Sequence, residues 1–270
     1  MTKNQYTLEK INNDCIDEEL FNESIRKASI IEKGSNGVGT LSEKTVHLVL
    51  KNYYVPDEKY HEINIVKKYV ADACMEGEIY EIQSKSFYTM KDKLDCFLKE
   101  YEVTIVYPVA INKFIRYIDP ETGEIYEKRK STKKGGLLDI VPELYGIKDY
   151  LKNKKLHFII CFIEMEEYKI LDGWSKDKKK GATKADRIPT KIIGEFRIDK
   201  RRDFLNLLPC FRDGKKIRNS EFPREFTTKD ICNHTGYHIS YAQYLMNILC
   251  FLGLTENTGK SGRLNIYRLK

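Results

Sequence analysis

Asp72 and Glu81 are the residues whose types and spacing could do chemistry. They lie in two short apolar runs, Tyr69–Met75 and Ile79–Gln83, on either side of the turn-like Glu76-Gly77. Side chains alternate across a strand. Asp72 therefore projects away from the face holding Ala71 and Ala73, while Glu81, Gln83 and Lys85 share one face and Tyr80 and Ile82 take the other. A hairpin of this form can bring Asp72 and Glu81 to neighbouring positions. Two hard oxygen ligands side by side suit Mg²⁺, which takes one or two carboxylates and keeps several waters for a substrate's phosphates. The same spacing also fits an ordinary edge hairpin with two solvated acids, since acidic residues are disfavoured in strands but not rare.

The elements that must position this pair run in the order helix, three strands, helix, strand. Thr40-Leu41-Ser42-Glu43-Lys44 has the form of a helix start, a hydroxyl cap with Glu43 three residues on. Leu41, Thr45, Leu48 and Val49 make its inward stripe as far as Tyr53, and Pro56 ends it. Glu43 is either a capping-box residue or an acid reaching towards a metal on the neighbouring sheet. His61–Val66, Lys68–Met75 and Glu78–Lys85 read as strands. Thr89–Tyr101 is an amphipathic helix with Met90, Leu94, Phe97 and Leu98 inward, and Val103–Val106 is a buried strand. The first three strands can meander antiparallel, and helix 89–101 supplies the crossover that a parallel fourth strand needs.

Further along, Phe114–Ile118 and Glu124–Lys128 flank the turn Asp119-Pro120-Glu121-Thr122-Gly123, and the second arm runs into a basic loop with Arg129 and Lys130. A helix is expected over 137–151, a buried strand over Leu156–Met165, a long basic loop over 174–187 with Lys178, Lys179 and Lys180, and a strand over Lys191–Ile198. Residues 1–39 read as an extension with a short helix, Asp17–Ile31, and 40–205 as the main domain.

The 270 residues suffice for two domains, and 41% hydrophobic with 32% charged residues describes a soluble globular chain. No apolar run is long enough to span a bilayer, and MTKNQYTLEK is polar throughout, so neither a membrane anchor nor a signal peptide is expected. Seven cysteines are scattered without a CxxC pair, which points to reduced thiols in a cytoplasmic protein and away from a zinc site or disulfide framework. The net charge of +7 is a modest bias. Its concentration between 174 and 203 favours a nearby phosphate backbone, although a solvated lysine-rich loop has the same composition.

The segment 206–270 changes character. Phe226-Thr227-Thr228-Lys229-Asp230 caps a short helix, Thr235-Gly236 turns, and Ser240–Phe251 is a second helix. Leu254–Glu256 and Leu264–Leu269 then pair across a Gly-rich stretch. Helix, turn, helix and β-wing is the winged-helix pattern, whose second helix enters a DNA groove. Tyr237, His238, Ser240, Tyr241, Gln243 and Asn247 are the exposed residues expected on that helix, with Lys260 and Arg263 on the wing over phosphates. A winged helix can equally serve protein contact or dimerisation.

The order of elements over 41–107, with Asp72 followed by Glu81-Ile82-Gln83, resembles the core of the PD-(D/E)xK nuclease superfamily, the restriction-endonuclease-like fold. With EIQS, the VTIVYP strand, the RKS loop and the terminal winged helix, the whole chain is similar to uncharacterised prokaryotic proteins of this layout. The resemblance implies an α/β (α+β) fold, a mixed sheet flanked by helices, and a Mg²⁺-dependent nuclease acting on DNA, with Mn²⁺ as the substitute ion. It assigns the metal to Asp72, Glu81 and the backbone carbonyl of Ile82, with Glu43, or else Glu62, assisting. Gln83 stands where the superfamily usually has lysine; it keeps hydrogen bonding but carries no charge. Lys85, one pleat further on, is the residue expected to supply that charge. A basic α/β domain does not itself distinguish DNA from RNA. Cutting both strands of a duplex needs two active centres, which a homodimer would provide. The alternative from another class is a non-catalytic DNA-binding protein or transcriptional regulator that relies on the winged helix.

Overall fold

Helices α1 (Lys3–Leu8), α2 (Glu18–Gly34) and α3 (Lys44–Tyr54) precede a sheet that opens with the meander β1 (His61–Val66), β2 (Tyr69–Met75) and β3 (Glu78–Ile82). The structure is a computed structural model and describes residues 1–14, 16–34, 44–66, 68–174, 180–217 and 221–270. Glu76 and Gly77, at φ of 53° and 87°, make the two-residue turn between β2 and β3. Positive φ at both central positions matches the twist of the flanking strands, and glycine adopts it without a Cβ penalty.

After a 3₁₀ turn, α4 (Lys91–Phe97) crosses the sheet and returns the chain as β4 (Glu102–Ile118), parallel to β3. The short edge strand β5 (Arg129–Lys130) pairs with β4 beyond the point where β3 has ended. A second crossover through α5 (Val141–Gly146) leads to β6 (Leu156–Trp174), parallel to β4, and β6 folds back on β7 (Lys180–Ile198). The strand order is β1-β2-β3-β4-β6-β7, a mixed sheet with helices on both faces. On one face Ile82, Val106, Cys161 and Ile163 pack with Val46, Val49 and Leu50 of α3. On the other, Ile79, Ile105, Phe158 and Ile160 pack with Leu94 and Phe97 of α4 and Leu144 of α5. The α+β class expected from the element order is the one observed.

A small hairpin, β8 (Phe211–Arg212) with β9 (Lys215–Lys216), is followed by β10 (Glu225–Phe226), α6 (Thr228–Thr235), α7 (Ile239–Phe251), β11 (Thr255–Ser261) and β12 (Leu264–Leu269). β12 lies between β10 and β11. The expected cap is present: the Thr227 amide and hydroxyl donate to Asp230 at 2.7 and 2.8 Å, and Gly236, at φ 70°, ends α6. This segment shares its apolar core with the sheet. Leu245 and Leu249 of α7 belong to the cluster holding Leu144 and Ile147, and the Tyr145 and Tyr244 rings meet at 4.9 Å. Helix α1, absent from the sequence reading, ties both parts together. Tyr6 donates to the Leu207 carbonyl at 2.6 Å, the Thr7 hydroxyl accepts from the Leu137 amide at 3.0 Å, and Lys3 pairs with Asp139 at 2.7 Å.

Several expectations are corrected. The basic loop over 174–187 is a strand from Lys180 onward, because backbone pairing with β6 outweighs the charge of its side chains on an edge where lysine is well tolerated. The third strand stops at Ile82 instead of Lys85, and helix 137–151 is broken into a 3₁₀ turn, α5 and a second 3₁₀ turn. The C-terminal hairpin is longer than expected, its first strand running to Ser261 where Glu256 was expected to end it. Among the described residues no helix is long and apolar enough to cross a membrane.

Candidate functional site

The hairpin register sets Ala73 opposite Tyr80. One residue further the ladder gives way, and carboxylates replace backbone carbonyls as acceptors. The Asp72 amide donates to Glu81 Oε1 at 3.3 Å, and the Ile82 amide donates to Asp72 Oδ2 at 2.8 Å. Asp72 and Glu81 are therefore neighbours, as the alternation and the short turn anticipate. They lie on the α4 side of the sheet, where Glu81 is 3% exposed. Burial, and then the nearby Asp72 charge, push the Glu81 carboxyl up to about 7, although Lys93 opposes the rise.

Lys93 is the residue the sequence reading missed. Its ammonium donates to both Glu81 oxygens, at 3.0 and 2.8 Å. It stands in the first turn of α4, three residues after Met90 and four before Phe97, so it borders the inward stripe of that helix. That spacing was the available signal: a lysine next to an apolar stripe, carried over the face that bears Glu81.

Gln83 has a backbone partner of its own. Its amide nitrogen donates to the Lys85 carbonyl at 2.6 Å, bent back along the chain leaving the strand. Lys85 lies past the end of β3, where strand alternation no longer applies, and the ammonium placed beside Glu81 is that of Lys93. Glu62 is paired with Lys51 of α3. Glu43 lies outside the described residues. The Ile82 amide is committed to Asp72, and its carbonyl is the atom that the superfamily resemblance assigns to the metal.

Among the described residues no group of three or more His, Cys, Asp or Glu side chains is placed to hold a metal ion. The donor set at the hairpin is two carboxylates. That fits Mg²⁺, which completes its octahedron with water and phosphate oxygens, and does not fit zinc or calcium, which ask for more protein ligands. The buried Glu81, crowded by Asp72, also wants positive charge beside it, and Lys93 meets part of that demand.

The expected nucleic-acid contacts divide. Arg129 and Lys130 are exposed on edge strand β5, where the Arg129 guanidinium donates to the Tyr117 hydroxyl at 2.7 Å. Lys178 and Lys179 lie outside the described residues, and Lys180 begins β7. Tyr237 is corrected: it precedes α7 and is 6% exposed, its ring packed on Tyr6 and its hydroxyl accepting from the Leu138 amide at 3.0 Å. His238 is the N-cap of α7, and its Nδ1 lies 3.0 Å from the Ser240 hydroxyl. Tyr241 is half-buried against the Tyr237 ring, whereas Gln243, Lys260 and Arg263 are exposed. Asn247 accepts from Lys148 of the α5 region at 3.1 Å, so that side of α7 faces the sheet domain.

A second acidic pair, Glu166 and Glu167, lies on β6 with its two members on opposite faces. Glu166 takes Arg116 at 2.7 Å and Lys128 at 3.2 Å. Glu167 takes Lys113 at 3.0 Å, Lys169 at 3.2 Å and Arg187 at 3.5 Å. Burial alone would raise the Glu167 carboxyl, but the surrounding cations, Lys113 foremost, bring it down to about 2. Acids so fully neutralised are structural.

The chain belongs to the family described as "Domain of unknown function (DUF8091)", whose model matches residues 44–199. The matched stretch runs from α3 to the end of β7 and includes Asp72, Glu81 and Lys93. An uncharacterized protein of Treponema pallidum (strain Nichols) is 28% identical over 234 residues, 86% of this chain and 87% of the relative. No solved structure matches the chain.

Proposed function

We propose that this member of the family is a Mg²⁺-dependent nuclease that hydrolyses DNA phosphodiester bonds. The observation that carries the reading is the abutment of Asp72 and Glu81 where the β2–β3 ladder opens, with Lys93 against the buried acid. In this reading Asp72, Glu81 and the Ile82 carbonyl hold the ion. Mg²⁺, when bound, supplies Lewis acidity towards the scissile phosphate and a water of lowered pKa. Glu81 gives its carboxylate to the site only once ionised, so metal binding displaces a proton from it near neutral pH. Lys93 takes the place of the superfamily's usual lysine: an ammonium beside the carboxylate, ready to stabilise charge developing on the phosphate. Gln83, turned onto Lys85, is released from its expected role of positioning the water.

The nucleic acid would be held by the C-terminal segment and the basic edges. Strand, helix, helix and hairpin, with β12 central, is the order of a winged helix and supports that assignment. Ser240, Gln243 and His238 at the start of α7, Lys260 and Arg263 on the wing, and Arg129 and Lys130 on β5 are the side chains this reading places against phosphates or bases. Reduced thiols and the lack of any bilayer-length helix among the described residues suit a cytoplasmic protein.

The test is cleavage of plasmid DNA by the purified chain with Mg²⁺ or Mn²⁺. The wild type should nick or cut; Asp72→Ala and Glu81→Ala should lose about a hundredfold or more, and Lys93→Met should fall similarly. Cleavage unchanged in both carboxylate variants defeats the assignment. The second reading, a non-catalytic DNA-binding protein, is favoured by one observation: Lys93 already engages both Glu81 oxygens. Salt-sensitive DNA binding without scission in either ion would select it.

A further inference from the structure

The opposite face of the same sheet holds a second site. Helix α3 covers only the half of that face bearing Ile82, Val106 and Cys161. Its last residue, Tyr54, marks the limit: the hydroxyl donates to Glu195 at 2.8 Å, and the ring lies near-parallel to Tyr80, with centroids 6.3 Å apart. Below Tyr54 no helix crosses the strands among the described residues, and a cleft of about 700 Å³ opens between the sheet and the turns around 151–154 and 199–204. Its volume is that of a site for a small organic ligand.

The floor sets polar side chains in strand register among apolar ones such as Ile159 and Phe204. Tyr80, Thr104 and His157 form one row across β3, β4 and β6, with Glu78 beside Glu102 in the next. Glu78 accepts from the Thr104 hydroxyl at 2.6 Å and the Tyr80 hydroxyl at 3.0 Å. His157 lies between acceptors, Nε2 at 2.8 Å from Glu102 Oε2 and Nδ1 at 3.2 Å from the Asp199 carbonyl. These residues fix one another and need no covering element to stay in place. The rim differs. Lys154, Lys200 and Arg201 are exposed at the cleft mouth and have no carboxylate partner among the described residues.

We propose that this cleft binds a nucleotide. A phosphate group is met by Lys154, Lys200 and Arg201. Sugar hydroxyls or base amino groups donate to Glu78 and Glu102, and the Tyr80 ring, braced by Tyr54, gives the base a flat apolar surface. Inorganic phosphate would use the rim and leave most of the cleft empty. A polyanion without donors would be repelled by the floor carboxylates. Neither uses rim and floor together, as a nucleotide does. The site faces away from Asp72 and Glu81, so it stands whether or not that pair is catalytic.

The test titrates fluorescent N-methylanthraniloyl-labelled AMP and ADP into the full chain, with unlabelled AMP, inorganic phosphate and a 5′-phosphorylated oligonucleotide as competitors. Wild type and Asp72→Ala should bind alike and saturably, and AMP should displace the probe far better than phosphate. The combined variant Lys154→Ala/Lys200→Ala/Arg201→Ala, in which only exposed side chains are trimmed, should bind about tenfold or more weakly. Competition by the oligonucleotide as strong as by AMP identifies the ligand as a strand end; weaker competition identifies a free nucleotide. The proposal is overturned by no saturable binding, by equal displacement with inorganic phosphate, by binding indifferent to the triple variant, or by binding lost in Asp72→Ala.

Discussion

Replacing Glu81 by glutamine should stabilise the protein in a pH-dependent way. The Glu81 carboxyl stands at about 7 in the folded chain, against an ordinary value of 4.5. Below pH ~4.5 the group is protonated both folded and unfolded and contributes nothing. Between the two values the unfolded chain ionises first, so wild-type stability falls by about 1.4 kcal/mol per pH unit from this group alone. Above pH 7 the loss levels off at ~3 kcal/mol. Glu81→Gln keeps the shape and an acceptor for the Asp72 amide but does not ionise, and the freed Lys93 ammonium is open enough to reach water. Urea unfolding of both proteins at half-unit steps from pH 5 to 8.5 isolates the effect, because every other titrating group is nearly common to the two. The variant should gain little at pH 5 and ~2–3 kcal/mol at pH 8. A difference that is flat with pH, or that favours the wild type at pH 8, refutes the argument that burial and Asp72 crowd this acid.

Other consequences follow from the same structure. Glu167 behaves oppositely: its folded carboxyl at about 2 lies below the ordinary 4.5, so its contribution is present above pH 4.5 and lost as pH falls towards 2. Glu167→Gln should cost about 3 kcal/mol or more at pH 7 by urea unfolding, since it strands Lys113, Lys169 and Arg187 beside a neutral group. Gly136→Ala sets a methyl group against the Tyr237 hydroxyl and 2.8 Å from the Thr7 hydroxyl. It should lower the melting temperature by several degrees, corresponding to about 1–3 kcal/mol, by loosening the N-terminal helix from the turn at 136–139.

Local rules were enough to place the acidic pair. The Glu76-Gly77 turn is two residues long, and period-two alternation carries Asp72 and Glu81 to the same face from there. The caps of α6 and the crossover through α4 were legible for the same reason, since each is decided within a few residues. What escaped depends on partners distant in sequence. Lys93 could not be matched to Glu81 until α4 was laid across β3. The lysine-rich stretch from 180 looks like a loop by composition, and only pairing with β6 makes it a strand. Tyr237 has the type and position of a groove-reading residue, yet the Leu138 amide and the Tyr6 ring claim it. Tyr241 and Asn247 have the spacing of outward-facing residues, but the ring of Tyr237 and the side chain of Lys148 claim them, and the sheet domain on which α7 packs is invisible in a local pattern.

The carboxylate pair as a divalent-ion site is the claim on which the proposed activity rests. Titration of the purified chain with Mn²⁺ at pH 8, followed by the electron-paramagnetic-resonance signal of the free ion, tests it most directly. One ion should bind per chain in the wild type, be displaced by excess Mg²⁺, and bind at least tenfold more weakly in both Asp72→Ala and Glu81→Gln. Binding that is absent in the wild type, or equally tight in both variants, contradicts it.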